Sequence, residues 1–376
     1  MPAPLDTLTS RLARARDATR VAGLDALLIT PGPDLRYLLG VAGESHERLT
    51  CLVLPADGDP ALVVPALERP GLAGTPAIAL GLEIVEWTDG EDPYAQVAAL
   101  LRRPGSPVTR AAVADAMPAA HVLPLRDAFP GCAQTLASTV LAPLRMRKDS
   151  AEIAALTAAG KAIDRVHARM GEWLRVGRTE AQVGADVAAA IVAEGHTSAA
   201  FVIVGSGPNG ASPHHDVSDR VIRPGDVVVV DIGGPTPEGY FSDCTRTYSL
   251  GEPGEADVAA CYAVLQAAQD AAVAAVAPGA TAQQVDAAAR VPITKAGFGD
   301  RFIHRTGHGI GLDVHEQPYI VAGNDLVLEA GMAFSIEPGI YLPGRWGARI
   351  EDIVVVNDSG ATRLNHRPRG LAVLPV

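Results

Sequence analysis

VVVVDIGGPTPEGYFSDCTRTYSL, residues 227–250, is two strand-like runs joined by a turn rich in glycine and proline. Asp231 ends a run of four valines, and Asp243 stands in the returning run. A hairpin centred on Pro237 sets the two aspartates opposite each other on one face, their Cβ atoms about 5 Å apart. Like charges at facing strand positions are destabilising unless something neutralises them, and a divalent cation does so directly. The construction recurs in MAFSIEPGIYLPGRWGARIEDIVVV, residues 332–356. Here a hairpin centred on Gly344 sets Glu337 opposite Glu351. Both hairpins carry long apolar runs, so these carboxylates are expected in buried strands, where an unpaired carboxylate is costly.

A fifth ligand is expected from HRTGHGIGLDVHEQP, residues 304–318, where glycines at 307, 309 and 311 let the backbone approach a crowded centre. A lone histidine in such a stretch is ordinarily a packing residue; the acidic pairs nearby single out His308. Four carboxylates and one imidazole form a hard, oxygen-rich set, best suited to Mn²⁺, with Co²⁺, Fe²⁺ or Zn²⁺ acceptable.

Outward from the hairpins the order of elements repeats. Asp149-Ser-Ala-Glu152 and Thr179-Glu-Ala-Gln182 are capping-box patterns. They open a long alanine-rich helix running to about Gly177 and a second helix ending near Gly195. The strand AAFVIVG, 199–205, and the first hairpin follow. After residue 253 come a helix around 255–277, a second opened by Thr281-Ala-Gln-Gln284, and strands again. Both halves read helix, helix, strands without shared sequence, a duplication of architecture. Upstream, ALLIT (26–30), LTCLVLP (49–55) and PALVVP (60–65) read as buried strands, with helical spacing over 5–22 and 93–103. The expectation is an α/β domain over 1–140 and an α+β domain with duplicated halves over 141–376.

A length of 376 residues agrees with two domains. The formal charge of −12 argues against nucleic acid or an anionic membrane as the main partner. Cys51, Cys132, Cys244 and Cys261 are dispersed and form no CxxC pair, which disfavours disulfides or a thiolate zinc site and points to a reducing compartment. The N-terminal stretch has no apolar run of signal-peptide type, and no window approaches the about 20 apolar residues of a membrane helix. A soluble, cytoplasmic protein is expected.

GPNGASPHH, DIGG…GYFSDCTRTY, GHGIGLDVHEQP, SIEPGIY and ARIEDIVVV together resemble, in order, the motifs of the pita-bread metallopeptidases. These include Xaa-Pro dipeptidases (prolidases), aminopeptidase P and methionine aminopeptidases. The resemblance covers about 145–376, and the N-terminal segment resembles the creatinase-type domain of the proline-specific branch. It implies a dinuclear centre in which Asp231 chelates one metal, Asp243 and Glu351 bridge both, and His308 and Glu337 complete the second. It also implies that His214 and His315 lie beside the substrate. Glu337 is the candidate to accept the proton of the attacking water. His304 is expected to line the pocket, and Arg349, two residues from Glu351, to orient a bridging carboxylate. The implied substrates are Xaa-Pro dipeptides or short peptides, and the implied assembly is a homodimer.

A dipeptidase has to recognise a free C-terminal carboxylate, usually with an arginine. In many prolidases that arginine stands four residues after the histidine of the HE…P motif, where this chain has Tyr319. Tyr319 is therefore expected at the substrate, and Arg48, in the polar loop 31–50, is the alternative anchor. An Xaa-Pro dipeptidase is the preferred reading, with an aminopeptidase P acting on longer peptides as the alternative. A non-peptide amide hydrolase and a binding module without chemistry are the further readings.

Overall fold

The computed structural model describes residues 3–102 and 107–376. The chain divides into two compact units, Met1–Arg145 and Met146–Val376, a few residues beyond the expected boundary at 140.

The first unit is built on a six-stranded sheet of β1 (Ala26–Ile29), β2 (Cys51–Pro55), β3 (Ala61–Pro65), β4 (Glu83–Trp87), β5 (Arg110–Val113) and β6 (Ala133–Leu136). The strand order is β4-β3-β2-β1-β5-β6. β1, β2 and β3 are buried at every residue, which is why they read as unbroken apolar runs. The two expected helices are present as Leu5–Val21 and Pro93–Leu101, the second capped by Asp92. Residue 103, the expected end of the latter, lies outside the described residues.

The second unit holds two halves, each with its own core. In the first half, the helices Ser150–Ala168 and Glu180–Ala193 accompany β7 (Phe201–Ser206), β8 (Val227–Pro235) and β9 (Phe241–Leu250). In the second, Val258–Ala274 and Ala282–Lys295 accompany β10 (Gly307–Gly309), β11 (Glu316–Ile320), β12 (Ala333–Ile336), β13 (Gly339–Leu342), β14 (Trp346–Arg349), β15 (Asp352–Asn357) and β16 (Gly360–Arg363). A last strand, β17 (Ala372–Leu374), returns to pair with β9. The sheets run β17-β9-β8-β7, β11-β10-β12-β15-β16 and β13-β14. Asp149 with Glu152 and Thr179 with Gln182 close as capping boxes, and the Gln284 side chain accepts the Thr281 N–H. The first helix stops at Ala168, short of the expected 177, because Gly171 interrupts the alanine-rich run and a 3-10 turn, Met170–Glu172, takes over.

The duplication extends to individual main-chain bonds. Gly177 N–H donates to the Ile222 carbonyl, and Gly279 N–H to that of Leu328. Ala181 N–H donates to Ser218, and Gln283 N–H to Asn324. One sequence offset relates the rung Asp231–Thr245 of the first hairpin to Glu337–Glu351 of the second, and Gly233–Asp243 to Gly339–Arg349.

That comparison corrects the expected register of the first hairpin. Asp231 faces Thr245, and Asp243 faces Gly233. Thr236 N–H donates to the Tyr240 carbonyl and Gly239 N–H to that of Thr236. The loop is therefore Pro237–Gly239, with Gly239 at φ 90°, and the hairpin centres on Glu238. The two aspartates share a face diagonally, which opens room between them. In the second hairpin the expected register holds: Ile336 faces Asp352 and Gly339 faces Arg349, which sets Glu337 against Glu351.

β10 is wedged between β11 and β12 with no space for side chains at its glycines. A Cβ on Gly307 would collide with the Ser335 carbonyl, and one on Gly309 with that of Gln317. Gly307→Ala is expected to cost about 3 kcal/mol, lowering Tm by roughly 5–10 °C. Gly370→Ala, where a Cβ meets open space, should move Tm by less than about 2 °C. Calorimetry on both variants checks this.

Candidate metal centre

Both hairpins and β10 open onto one cavity of about 820 Å³, formed wholly by the second unit. β8 supplies Asp231, β9 supplies Asp243, and β10 supplies His308. Glu337 lies between β12 and β13, and Glu351 between β14 and β15. His214, His304, Arg305, His315 and Arg349 complete the polar wall, and Ala200 to Ile203 form an apolar one.

Asp243, His308 and Glu351 each bring a ligand atom within 4.8 Å of the others. The orientation of His308 follows from its second nitrogen. Nδ1 lies 3.1 Å from the Gly309 carbonyl, which can only accept, so Nδ1 carries the proton. Burial first, and then His315, hold this imidazole neutral, with its pKa lowered to about 3. Its Nε2 lone pair therefore faces Glu337 Oε1 at 3.3 Å and Asp243 Oδ2 at 3.6 Å, acceptor against acceptor. Asp231 Oδ1, Asp243 Oδ1 and Glu351 Oε1 are also buried without a hydrogen-bond partner among the described residues. Three orphaned carboxylate oxygens and an imidazole lone pair converging on one space fit a divalent cation.

Without a cation the acids respond to burial. Asp243 is held well above the usual carboxylate range by burial, then by Asp231 and Glu337. Glu351 is likewise held high, by burial and then by Asp243. Glu337 is pushed up to about 7, chiefly by burial. Burial works against the charge of Arg349, but Tyr341, Asp231, Glu337 and Glu351 around it keep it firmly cationic.

Arg349 organises this acid cluster. Its Nη2 donates to Asp231 Oδ2 at 2.6 Å and its Nε to Thr245 Oγ1 at 3.0 Å. Thr245 Oγ1 in turn donates to Glu351 Oε2 at 2.8 Å. Arg349 Nη1 donates to Tyr341 Oη at 2.7 Å and to the Pro213 carbonyl at 3.2 Å. Tyr341 Oη then donates to His304 Nε2 at 2.8 Å, because His304 Nδ1 is committed to the Arg305 carbonyl at 2.7 Å.

Known proteins resemble this chain along its whole length. Residues 154–358 match Metallopeptidase family M24, and residues 11–147 match the Creatinase/Prolidase N-terminal domain. The chain is 62% identical to the probable dipeptidase PepE of Mycobacterium tuberculosis over 97% of its own length and 96% of that protein's. It is 37% identical to the Xaa-Pro dipeptidase of Lactobacillus delbrueckii subsp. lactis, over 94% and 96%. The solved structure of dipeptidase PepE from Mycobacterium ulcerans, 59% identical, superposes with a TM-score of 0.95 over 100% of both chains. The chain belongs to metallopeptidase family M24.

In this M24 chain nine of the eleven expected site residues meet at the cavity: Asp231, Asp243, His308, Glu337, Glu351, His214, His304, His315 and Arg349. Two do not. Tyr319 faces His308 across the β10–β11 ladder but does not line the cavity; its ring lies beneath the guanidinium of Arg305. Arg48 belongs to the first unit, where it is held by Asp89 at 3.0 and 2.9 Å and by Glu47 at 2.7 Å. Its polar loop offered a charge, but acids beside it take up that charge. Three residues of this M24 site escaped the sequence reading. Thr245 was open to it, being two residues from Asp243 on the same strand face. Tyr341 ends the SIEPGIY stretch, but its bonds to Arg349 and His304, like the seat of Arg305 on Tyr319, are made between residues that the motifs do not pair. Among the described residues, no helix of this M24 protein is long and apolar enough to cross a membrane.

The raised pKa of Glu337 makes the metal-free protein sensitive to pH. Ionising this group in the fold costs stability that the unfolded chain, titrating near 4.5, does not lose. The penalty is absent below about pH 4.5, grows as pH rises and levels off above about 7. Glu337→Gln removes it. Metal-free E337Q should therefore gain on wild type by up to about 3 kcal/mol between about pH 5 and pH 8. Urea midpoints across this range measure the gain, and parallel curves would contradict it.

Proposed function

We propose that this chain is a two-metal Xaa-Pro dipeptidase whose cations are held by Asp231, Asp243, His308, Glu337 and Glu351. The observation that carries this is the convergence of buried, unpartnered carboxylate oxygens with the Nε2 lone pair of His308 on one cavity. Four carboxylates with a single imidazole favour Mn²⁺, with Co²⁺, Fe²⁺ or Zn²⁺ as substitutes. Two bound cations would supply Lewis-acid activation of water and of the scissile carbonyl.

The protein does the rest. Glu337 has the most accessible carboxylate of the four, with 15% of its side chain exposed against 12% for Asp231 and 5% for Asp243. It takes the proton of the attacking water and passes it to the leaving nitrogen. His315, whose ring centroid is 4.2 Å from that of His308, and His214 across the cavity donate to the developing oxyanion. Burial first, and then Arg305, hold His315 towards its neutral form, which keeps an N–H for donation without adding charge. The apolar wall from Ala200 to Ile203 gives a proline ring a surface to pack on.

The names of the relatives, dipeptidase and Xaa-Pro dipeptidase, support the short substrate. Tyr319, at the place of the usual carboxylate-binding arginine, favours a second reading, an aminopeptidase P acting on longer peptides. All four cysteines are free thiols, which supports a reducing, cytoplasmic setting, and a homodimer is the assembly we propose with it.

Metal-stripped protein, with and without Mn²⁺, is offered Met-Pro and Met-Pro-Ala. Mn²⁺-dependent cleavage of Met-Pro alone is the expected result, falling by at least about 1000-fold in Asp243→Asn and Glu351→Gln. Cleavage of the tripeptide would instead establish the aminopeptidase. Cleavage of neither with any divalent metal would overturn the substrate assignment.

A further inference from the structure

Two arginines line the cavity, and they are differently employed. Arg349 spends four donors on Asp231, Thr245, Tyr341 and the Pro213 carbonyl. The guanidinium of Arg305 has no hydrogen-bond or ion-pair partner among the described residues. It is half-buried, and its central carbon lies 4.4 Å from the centroid of the Tyr319 ring. An arginine lining a partly closed cavity, with none of its donors used, is an anion site awaiting its anion.

The surroundings fix its position. The Arg305 carbonyl accepts from His304 Nδ1, and the next N–H, that of Thr306, donates to the Ile320 carbonyl of the adjoining strand. The backbone on both sides of the side chain is thus pinned. The aromatic ring beneath it favours the cation and orients the planar fork, leaving its N–H edges free for a bidentate partner. The substitution is spatial. Where the family resemblance places an arginine, this chain has Tyr319, and an arginine from the neighbouring segment lies on that tyrosine.

We propose that Arg305, seated on Tyr319, binds a carboxylate of the substrate within the metal cavity. This rests on the Xaa-Pro dipeptidase reading and assigns the anchor that Tyr319 cannot provide. The same chemistry could be presented by the free C-terminus of a dipeptide, which would enforce substrate length, or by an acidic first side chain. The C-terminus fits the half-buried setting and the dipeptidase reading.

The test uses the full-length Mn²⁺-loaded enzyme with Met-Pro, Met-Pro-amide and Glu-Pro-amide. In Arg305→Gln, the kcat/KM ratio of Met-Pro to its amide should fall roughly 100-fold, mostly through KM. Arg305→Lys, which keeps the charge but not the fork, should recover part of the loss, and Tyr319→Leu should show a smaller loss in the same direction. Metal content should stay at the wild-type level, which separates recognition from damage to the centre. A fall confined to the ratio of Glu-Pro-amide to Met-Pro-amide would keep the carboxylate site and assign it to the first side chain. If neither ratio moves, Arg305 is not a carboxylate site. If wild type cleaves none of the three, the dipeptidase reading fails on its own. Calorimetric affinities of wild type and R305Q for Met-Pro and its amide then still decide the role of Arg305.

Discussion

Asp231, Asp243, Glu337, Glu351 and the guanidinium of Arg349 share a single cavity, and most of the catalytic unit is arranged around their mutual electrostatics. Two like charges about 4 Å apart repel by about 4 kcal/mol at an effective dielectric of 20, so four acids cannot all ionise there unaided. Arg349 relieves part of the strain directly, by its bond to Asp231, and part indirectly, through Thr245 to Glu351. Asp243 is served less well, since burial, Asp231 and Glu337 outweigh what Glu351 and Arg349 do for it. It faces a glycine across its own ladder, and its Oδ1 is unpartnered. Divalent cations held by these acids would do what a second arginine would otherwise have to do. A lysine at 349 would bring the charge without the fork that serves Asp231, Thr245 and Tyr341 at once.

The duplication explains how such a cluster is assembled at all. Asp231 and Glu337 occupy equivalent places in the two hairpins, as do Thr245 and Glu351, and Asp243 and Arg349. Gly233 and Gly339 stand opposite the last two, where a Cβ would meet Ser242 and Phe201 in one half and Tyr341 in the other. A fully symmetric frame would repeat one set of charges. Here one half carries two aspartates and the other two glutamates with an arginine, so the counter-charge sits at the position matching the most crowded acid. The halves are tied where they differ: Glu351 N–H donates to the Thr245 carbonyl, and Arg246 reaches the Glu351 carbonyl at 2.6 Å.

Much of this was legible in the sequence, for a physical reason that also explains the error. The first hairpin was centred on Pro237 when it centres on Glu238, a shift that displaces each rung by two residues. Because side chains alternate with a period of two, such a shift leaves every residue on its face. The carboxylates were thus assigned to one face correctly while their partners were not. The surroundings of Tyr319 and Arg48 were not legible, for a different reason. Spacing within a motif locates a backbone position, but what the side chain there touches is set by the neighbouring strand. Arg305 lies over Tyr319 and Asp89 beside Arg48 through contacts between residues distant in sequence. Tyr341 stands in the SIEPGIY stretch, but its partners were hidden for the same reason: it passes a hydrogen bond from Arg349 to His304.

The loop that carries His214 shows how the acid cluster and the histidine wall of the cavity are held in one frame. His214 itself is exposed to the cavity, while His215 beside it is bonded at 2.7 Å to Glu180, a fully buried acid. Glu180 also accepts from Ser206, Asn209 and Ser218, so four protein groups compensate its charge and hold its pKa down despite burial. On the other side, the carbonyl of Pro213 accepts from Arg349. The exposed imidazole is therefore suspended between two anchors, one in each half of the duplicated fold. Arg349 is bonded at once to Asp231 and to this loop, so a displacement of the metal-binding hairpin would carry over to His214. Positioning of the His214 loop and neutralisation of the acid cluster are consequently two effects of the same guanidinium.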